Sequence, residues 1–394
     1  MTHAPPARNE WWQKPRLHRT SDSQEERRVG WIELFFDLVF VVVVSQLAHA
    51  LAGEVTWRAV GTFALLFVPS WWLWIGMTFY AERFETMDVS HRLATFAAML
   101  PVTALALFTH AGLPEGARGF ALAYAAGRAL IIAMWLRGGF HEPVARPMTH
   151  RFGVGFGASA ALFVASVWVP APWRYALWAV ALCVDLLTPA VTFRTQRALP
   201  PFSSRIPERF GLFVLIVLGE SIVSIVTGLA EAHPLTFRTV AAGGLGMALT
   251  FAFWWLYFDI ISHRYARPGL GFGISRNYLH LPLVMSCTAM AAAVLNVVRH
   301  ADEPLPGGVR ALLCLSLAGA CASIAALMSV VHPPSHPGAF RTMQRALLAV
   351  AAAAASMPLW GAALGALPVL SVLLGLLVAL IALLATQWVR GQLG

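Results

Sequence analysis

The sequence predicts an all-α polytopic membrane protein with about twelve transmembrane helices. Of its 394 residues, 58% are hydrophobic and only 12% are charged, whereas soluble domains carry about a quarter charged residues. Apolar stretches of about 20 residues follow one another almost without pause, and each is long enough to cross a hydrocarbon layer of roughly 30 Å as a helix. These two observations exclude an ordinary soluble fold.

The apolar stretches can be placed in order after a polar, proline-containing segment, residues 1–28, which we interpret as a disordered cytoplasmic tail. No connection between them is long enough to hold a soluble domain, so any chemistry must lie in the membrane or at its surfaces. The division of the last two, at Gly365 to Pro368, has the weakest signal. The predicted spans are residues 31–52, 57–80, 91–112, 118–138, 153–170, 174–194, 209–230, 237–262, 276–298, 308–331, 341–363 and 367–389.

The basic residues predict the orientation of the spans. The net charge is +9, but the arginines are spread along the chain rather than gathered in one tract, which argues against a nucleic-acid partner. The tail and the even-numbered connections carry 21 of the 28 Lys and Arg residues, and the opposite side carries six. Because cytoplasmic loops collect Lys and Arg, we predict a multi-pass protein of the bacterial inner membrane with both termini in the cytoplasm and the lipid bilayer as its partner.

The chain also shows a weak internal repeat. The stretch "ELFFDLVFVVVVSQLAHAL" from Glu33 aligns with "ERFGLFVLIVLGESIVSIV" from Glu208, and the aromatic runs "WWLWIG" and "WWLYFD" follow at similar offsets. Six spans separate the two copies, so both halves would have the same orientation in the membrane. We therefore predict two parallel six-helix repeats, residues 29–205 and 206–394.

Ionisable side chains inside spans are candidates for function, because each costs about 2.5–3.5 kcal/mol at the centre of the bilayer. On the first span Glu33 and Asp37 lie one turn apart on one helix face, and Ser45 and His49 follow in the same sector. This arrangement predicts a polar stripe along a valine-rich helix. The alternative is that the two acids lie at the head-group level, near the positive end of the helix.

The seventh span carries a similar stripe of Glu208, Glu220 and Ser224. Twelve residues of helix place Glu220 roughly 18 Å deeper than Glu208, near the middle of the bilayer, where it needs a partner or water. Arg128 is the only cation near the centre of a span. The sequence predicts a pair of Arg128 with Glu220 or with Asp185, and a structural or a functional salt bridge is equally consistent with it.

Two further ionisable residues, Asp259 on the eighth span and His280 on the ninth, are secondary candidates. His49, His263 and His280 could relay protons, because histidine side chains change charge near physiological pH, although a histidine near a helix end is more often an interfacial residue. The four cysteines form no metal-binding spacing. We expect no metal and no cofactor.

The motifs resemble the bacterial low temperature requirement protein A family. The resemblance rests on "ELFFDLVFV" and "SQLAH" in the first span, on "ERFGLFVLIVLGES" from Glu208, and on the later "WWLYFD" and "YLHLP", and it extends from about Arg28 to the last span. It implies a multi-pass membrane protein without implying a substrate. The chain departs from the family pattern at Pro207, which precedes the glutamate of "ERFG".

The leading functional hypothesis is a transporter or channel-like protein for an ion or small molecule that the sequence does not identify. Transport linked to protons is one form of this hypothesis. Its pathway would run between the two halves, with Asp37 and Glu220 as its charged groups. Two alternatives remain open: a structural or stress-adaptation membrane protein without turnover, and an intramembrane lipid enzyme, for which no nucleophile or metal site is found. We do not expect an enzyme, and the sequence leaves an oligomer open.

Overall fold

We describe the chain from a computed structural model, which covers residues 11–17, 30–85, 88–113, 115–199, 206–333 and 336–391. Over these residues the fold is almost entirely helical. The helices are α1 Trp31–Gly53, α2 Trp57–Arg83, α3 Val89–His110, α4 Ala117–His141, α5 Arg146–Ala165, α6 Trp173–Val191, α7 Phe193–Gln196, α8 Ile206–Glu231, α9 Phe237–Tyr257, α10 Leu270–Arg299, α11 Gly307–Val330, α12 Pro337–Trp360 and α13 Ala366–Val389.

Every helix except the short α7 is long and apolar enough to cross a membrane, which gives twelve candidate spans in the part of the chain that is described. The prediction of an all-α polytopic fold with about twelve spans is therefore confirmed. The division of the last two spans is also present, because α12 ends in a 3-10 turn at Gly361–Ala363 and α13 begins at Ala366. Helix α8 begins at Ile206 and takes Pro207 into its first turn, where a missing backbone N–H costs nothing.

Polar side chains cap the N-terminal ends of two helices. Asp88 caps α3 by accepting a hydrogen bond from the backbone N–H of His91, and Thr236 caps α9 by accepting one from Thr239. Such caps satisfy N–H groups that have no partner within the helix. Helix α9 continues into one π-helical turn, Phe258–Ser262, a distortion that is frequent at functional sites.

The chain divides into two compact units. Unit 1 consists of Met1–Val43 and Leu65–Ile206, and unit 2 of Val44–Ala64 and Pro207–Gly394. One segment differs from the predicted division into halves. Residues 44–64, at the end of α1 and the start of α2, belong to unit 2 with the second half of the chain. The reason is packing: within unit 2, the side-chain amide of Asn296 on α10 donates to the carbonyl of Ala52 at 2.8 Å.

In unit 1, consecutive helices pack as antiparallel neighbours, α3 on α4, α4 on α5 and α5 on α6. The glycines of "GVGFGA" permit part of this packing, because a Cβ on Gly155 of α5 would collide with the side chain of Thr188 on α6. Small residues at such positions let membrane helices approach closely. In unit 2, α10 packs on α11, α11 on α12, and α9 on α13.

The predicted disordered tail needs a correction for residues 11–17. Strand β1, Arg16–Leu17, pairs antiparallel with β2, Phe84–Glu85, and the backbone N–H of Gln13 donates to the Asp88 carboxylate at 2.7 Å. The guanidinium of Arg137 donates to the carbonyl of Gln13 at 3.0 Å. Polarity alone predicted disorder and missed these specific bonds. Residues 1–10 and 18–28 of the tail lie outside the described residues.

Candidate functional site

The central cation of unit 1 is held in a buried ion pair. On α4, Arg128 donates from Nη2 to Asp185 Oδ1 at 2.5 Å and from Nε to Oδ2 at 3.4 Å. Tyr124, one turn earlier on α4, donates its hydroxyl to the same Asp185 carboxylate. All three side chains are fully buried. Of the two predicted partners for Arg128, the structure confirms Asp185, and Glu220 has a different partner.

The residues packed around this ion pair shield it from water. The guanidinium lies over the ring of Phe156 on α5, 4.2 Å from the ring centroid, a favourable cation–π geometry. Gly76 on α2 allows close approach, because a Cβ there would lie 3.3 Å from Arg128 Nη1. A bidentate carboxylate, a neighbouring phenol and an aromatic face offset the burial of the guanidinium, and its Nη1 is buried without a hydrogen-bond partner among the described residues. The pair therefore joins α4 to α6 inside unit 1.

The two acids of the first span, both in unit 1, lie in different environments. Asp37 is fully buried and accepts a hydrogen bond from the indole Nε1 of Trp74 on α2 at 2.7 Å. Glu33 lies in the first turn of α1 and is half-buried. The predicted polar stripe on α1 is thus divided, since Asp37 belongs to unit 1 and Ser45 and His49 belong to unit 2.

The mid-span carboxylate of unit 2 lies beside the end of α1. Glu220 Oε1 on α8 is 3.6 Å from His49 Nδ1, and the Ser45 hydroxyl hydrogen-bonds the Glu220 carboxylate. The Glu220 side chain is 1% exposed, whereas that of His49 is 38% exposed. The carboxylate is therefore buried, but the imidazole next to it reaches the surface of the chain.

The protonation of His49 can be assigned from its bonds. Nδ1 lies 2.9 Å from the backbone carbonyl of Ser45, and a carbonyl can only accept, so Nδ1 carries a hydrogen. Nε2 is then the ring nitrogen that gains or loses a proton. When Nε2 is protonated, the imidazolium presents its charge to Glu220.

Two further buried hydroxyl groups follow Glu220 on α8. Ser224, one turn after Glu220, and Ser221 are both buried, and within the described residues neither hydroxyl has a hydrogen-bond partner. The same holds for Glu220 Oε1. Buried polar atoms without partners are rare and call for an explanation such as an ion or water. We name Glu220, Ser221, Ser224, Ser45 and His49 the α1–α8 cluster.

Sequence reasoning missed Ser221. The signal was available, because "LGES" places Ser221 directly after Glu220, but neighbouring residues do not share a helix face, so the stripe argument passed over it.

The remaining candidate residues of unit 2 differ from the α1–α8 cluster in their exposure or in their hydrogen-bond partners. Glu208 is exposed in the first turn of α8, and Asp259 is exposed and accepts from Trp255 Nε1 at 2.8 Å. His280 is fully buried, and its Nδ1 donates to the carbonyl of Arg276 at 2.8 Å. Its Nε2 therefore accepts from the Tyr257 hydroxyl at 3.2 Å. Both nitrogens of His280 are engaged, which is typical of a structural histidine.

Among the described residues, no group of three or more His, Cys, Asp or Glu side chains could hold a metal ion. The four cysteines are free thiols, and three of them, Cys287, Cys314 and Cys321, are buried. The chemistry that the described site offers is proton exchange between a carboxylate and an imidazole, with hydroxyl groups able to bind water or a small cation.

Comparison with known proteins supports the membrane fold. A family model described as bacterial low temperature requirement A protein matches residues 28–386, nearly the whole chain. An uncharacterized protein of Rhizobium meliloti (strain 1021) is 28% identical over 290 residues, which cover 67% of this chain and 68% of that protein. No solved structure matches the chain.

Proposed function

Because the chain belongs to the bacterial low temperature requirement A family, we propose that it is a membrane transport protein in which Glu220 binds and releases a proton during transport. One observation carries the proposal: Glu220 is a buried carboxylate in the middle of a span, 3.6 Å from an imidazole that is exposed at the surface of the chain. A carboxylate at this depth is costly unless it has a task or a permanent counter-ion.

The α1–α8 cluster can hold or release one proton. With that proton the cluster has no net charge, whether the proton lies on His49 beside an ionised Glu220 or on Glu220 beside a neutral imidazole. When the proton leaves, Glu220 is ionised beside a neutral imidazole and the cluster carries one negative charge. An imidazole has both a charged and a neutral form, so the proton can enter at His49 Nε2 and leave from the carboxylate. The Ser45 hydroxyl can donate to the ionised acid or accept from the neutral one.

The hydroxyls of Ser221 and Ser224 indicate where a second species would bind. Each is buried without a hydrogen-bond partner among the described residues, and a hydroxyl oxygen is a ligand for a small hard cation or for water. A cation at this position would displace the proton from Glu220, because both neutralise the same carboxylate. The function that the geometry supports best is therefore exchange of protons for a small cation, across what we expect to be the bacterial inner membrane.

A structural function without turnover is the second candidate, and the Arg128–Asp185 pair favours it. Both side chains of that pair are fully buried, and the pair connects α4 to α6 in unit 1. If Glu220 has only the same role in unit 2, its removal would lower stability and would alter no flux.

The test is a flux assay with the full chain in proteoliposomes that contain a pH-sensitive dye. An imposed pH gradient is applied with Na⁺, K⁺ or Li⁺ outside, and proton movement is recorded. The wild type should move protons with at least one of these cations, and Glu220→Gln should abolish the movement. Glu208→Gln is the matched control, because it removes an exposed acid from the same helix, and it should behave as the wild type.

Two outcomes would overturn the proposal. One is a wild type and a Glu208→Gln variant that move no protons with any cation of the panel, although both are folded and oriented in the vesicles. The other is an unchanged flux in Glu220→Gln. A His49→Gln variant adds a kinetic readout: it should retain transport but shift its pH dependence, because the proton then reaches Glu220 without the imidazole.

A further inference from the structure

A second polar site lies in unit 2, at the end of α9. A cavity of about 570 Å³ opens there between the π-helical turn of α9 and the last turns of α13. Trp255, Asp259 and His263 line it at intervals of four residues, and Arg264 follows. On the other side the wall is formed by Leu384 and its neighbours on α13. This volume falls within the range of sites for small ligands.

The cavity presents side chains of both charges. The Asp259 carboxylate is exposed, and its Oδ2 accepts from Trp255 Nε1 at 2.8 Å. Arg264 is fixed on its inner side, where its Nε donates to the carbonyl of Ile260 at 3.0 Å and its guanidinium lies 5.2 Å from the ring centroid of Phe340. These contacts hold the cation in place beside the same cavity that Asp259 lines.

The apolar part of the wall lies on α13. Ile381, Leu384 and Ala385 line the cavity along that helix, and Trp388 follows near its end. Trp255 and Trp388 are exposed. Tryptophan is enriched where membrane helices meet the head-group layer, so we expect the cavity, with its apolar wall on α13 and its charged groups, to lie at that layer.

We propose that this cavity binds the head group of a zwitterionic, amine-bearing phospholipid. Arg264 and His263 take the phosphate, Asp259 takes the primary ammonium, and one acyl chain lies along α13. The charges disfavour the alternatives: an anionic lipid without an amine would bring its phosphate near Asp259 with no ammonium to offset the carboxylate, and a cationic amphiphile would meet Arg264. This site does not depend on the function proposed for the α1–α8 cluster.

Native mass spectrometry of the delipidated full chain tests the assignment. The protein in detergent is titrated with phosphatidylethanolamine, phosphatidylcholine or phosphatidylglycerol of identical acyl chains, and the bound fraction is measured. The wild type should bind phosphatidylethanolamine about fivefold more tightly than phosphatidylglycerol, the ratio expected for one partly exposed charge pair. Phosphatidylcholine should bind between them, because its quaternary ammonium has no N–H to donate.

Variants separate the two charges. Asp259→Asn should remove the preference for phosphatidylethanolamine over phosphatidylglycerol, whereas Arg264→Gln should weaken the binding of all three lipids about equally. Matched controls in the same unit are Asp302→Asn, whose carboxylate accepts from Thr236 away from the cavity, and Arg345→Gln, which is exposed on α12. Both controls should keep the wild-type pattern.

The proposal is overturned if the wild type prefers phosphatidylglycerol, if Asp259→Asn keeps the wild-type preference, or if the two controls change the pattern as strongly as the cavity variants. Because Asp259 is exposed, its amide variant is expected to fold, and gel filtration confirms this before titration. If Arg264→Gln is not monodisperse, Arg264→Lys replaces it and should retain part of the phosphate binding.

Discussion

Units 1 and 2 each bury a carboxylate in the middle of a candidate membrane span, and the partner of the carboxylate differs between them. In unit 1, Asp185 faces the guanidinium of Arg128 and the hydroxyl of Tyr124, with all three side chains fully buried. In unit 2, Glu220 faces His49, which is partly exposed. An arginine does not lose its proton in proteins, whereas an imidazole has a charged and a neutral form. The cation of the first pair is therefore permanent, and the partner of Glu220 is a group that has both forms.

The comparison shows which property distinguishes a candidate transport residue from a structural one. Burial and charge are common to both carboxylates, so neither is informative alone. What differs is the capacity of the partner to change its charge and its access to the surface of the chain. The following predictions test this distinction, from the largest expected change in stability to the smallest.

Removing the cation of unit 1 should have the largest effect. Arg128→Met leaves the Asp185 carboxylate buried without its counter-ion, and breaking a buried pair in this way typically costs about 3–5 kcal/mol. We expect a large fall in the thermal unfolding temperature in detergent and in the yield of folded protein. The double variant Arg128→Met with Asp185→Leu should recover part of that loss. An Arg128→Met variant as stable as the wild type would contradict the structural role of the pair.

Asp37 is expected to resemble the structural carboxylate rather than Glu220. Asp37→Leu removes the acceptor of the Trp74 indole, and a buried donor without its acceptor costs about 1–3 kcal/mol. Asp37→Asn keeps an oxygen acceptor and should cost less. The difference between the unfolding temperatures of the two variants measures the bond. If Asp37→Asn abolishes proton flux while remaining stable, Asp37 belongs with Glu220 and the distinction between the units fails.

Asp88, which lies outside the spans and is itself buried, extends the comparison to a carboxylate at a helix end. Burial acts to raise the pKa of Asp88, but hydrogen bonds from Ser90 and from the backbone of Gln13 and His91, with the charge of Arg137, outweigh it and lower the pKa. A lowered pKa in the folded state means that the stabilisation is fully present above the unfolded value of about 3.9 and is lost as the pH falls through the folded value.

The measurement is the difference in unfolding temperature between the wild type and Asp88→Ala. It should correspond to about 1 kcal/mol, the usual contribution of a helix cap, and should stay constant from about pH 8 to about pH 5. It should shrink only as the pH falls below about 4. A difference that disappears above pH 5 would contradict the lowered pKa.

The smallest change in stability is expected for Glu220→Gln. The carboxamide keeps an oxygen for the Ser45 hydroxyl, and His49 has no permanent charge that would be left unpaired. We expect a change of less than about 1 kcal/mol, similar to that of other partly exposed pairs. Calorimetry or thermal melting of the two single variants, Glu220→Gln and Arg128→Met, measures the difference in their stability directly. A loss of stability as large as that of Arg128→Met would assign Glu220 the structural role.

Local sequence features were sufficient to predict most of the fold. The spans follow from hydrophobic length, because each helix must satisfy its own backbone in the membrane, and the predicted boundaries differ from the helices by a few residues at most ends. The largest differences are at Arg146 and Leu270, where α5 and α10 begin one to two turns earlier than predicted. There, polar and glycine-containing segments continue the helix beyond the hydrophobic stretch.

The candidate site was only partly predictable. The sequence identified Glu220, Ser45 and His49 separately, because each is polar in an apolar span, and it identified Arg128 with two possible partners. The choice of Asp185 depends on how α4 and α6 each pack against α5, which no local pattern encodes. Packing likewise decides that the buried hydroxyls of Ser221 and Ser224 have no hydrogen-bond partner among the described residues.

The sequence by itself determined that the chain is a polytopic helical membrane protein, because the hydrophobic effect and backbone hydrogen bonding act on each segment separately. Only the tertiary structure decided which buried carboxylate meets a fixed charge and which meets a titratable one. The physical reason is that these pairings are short-range contacts between residues distant in the chain, such as His49 with Glu220, and depend on which helices become neighbours.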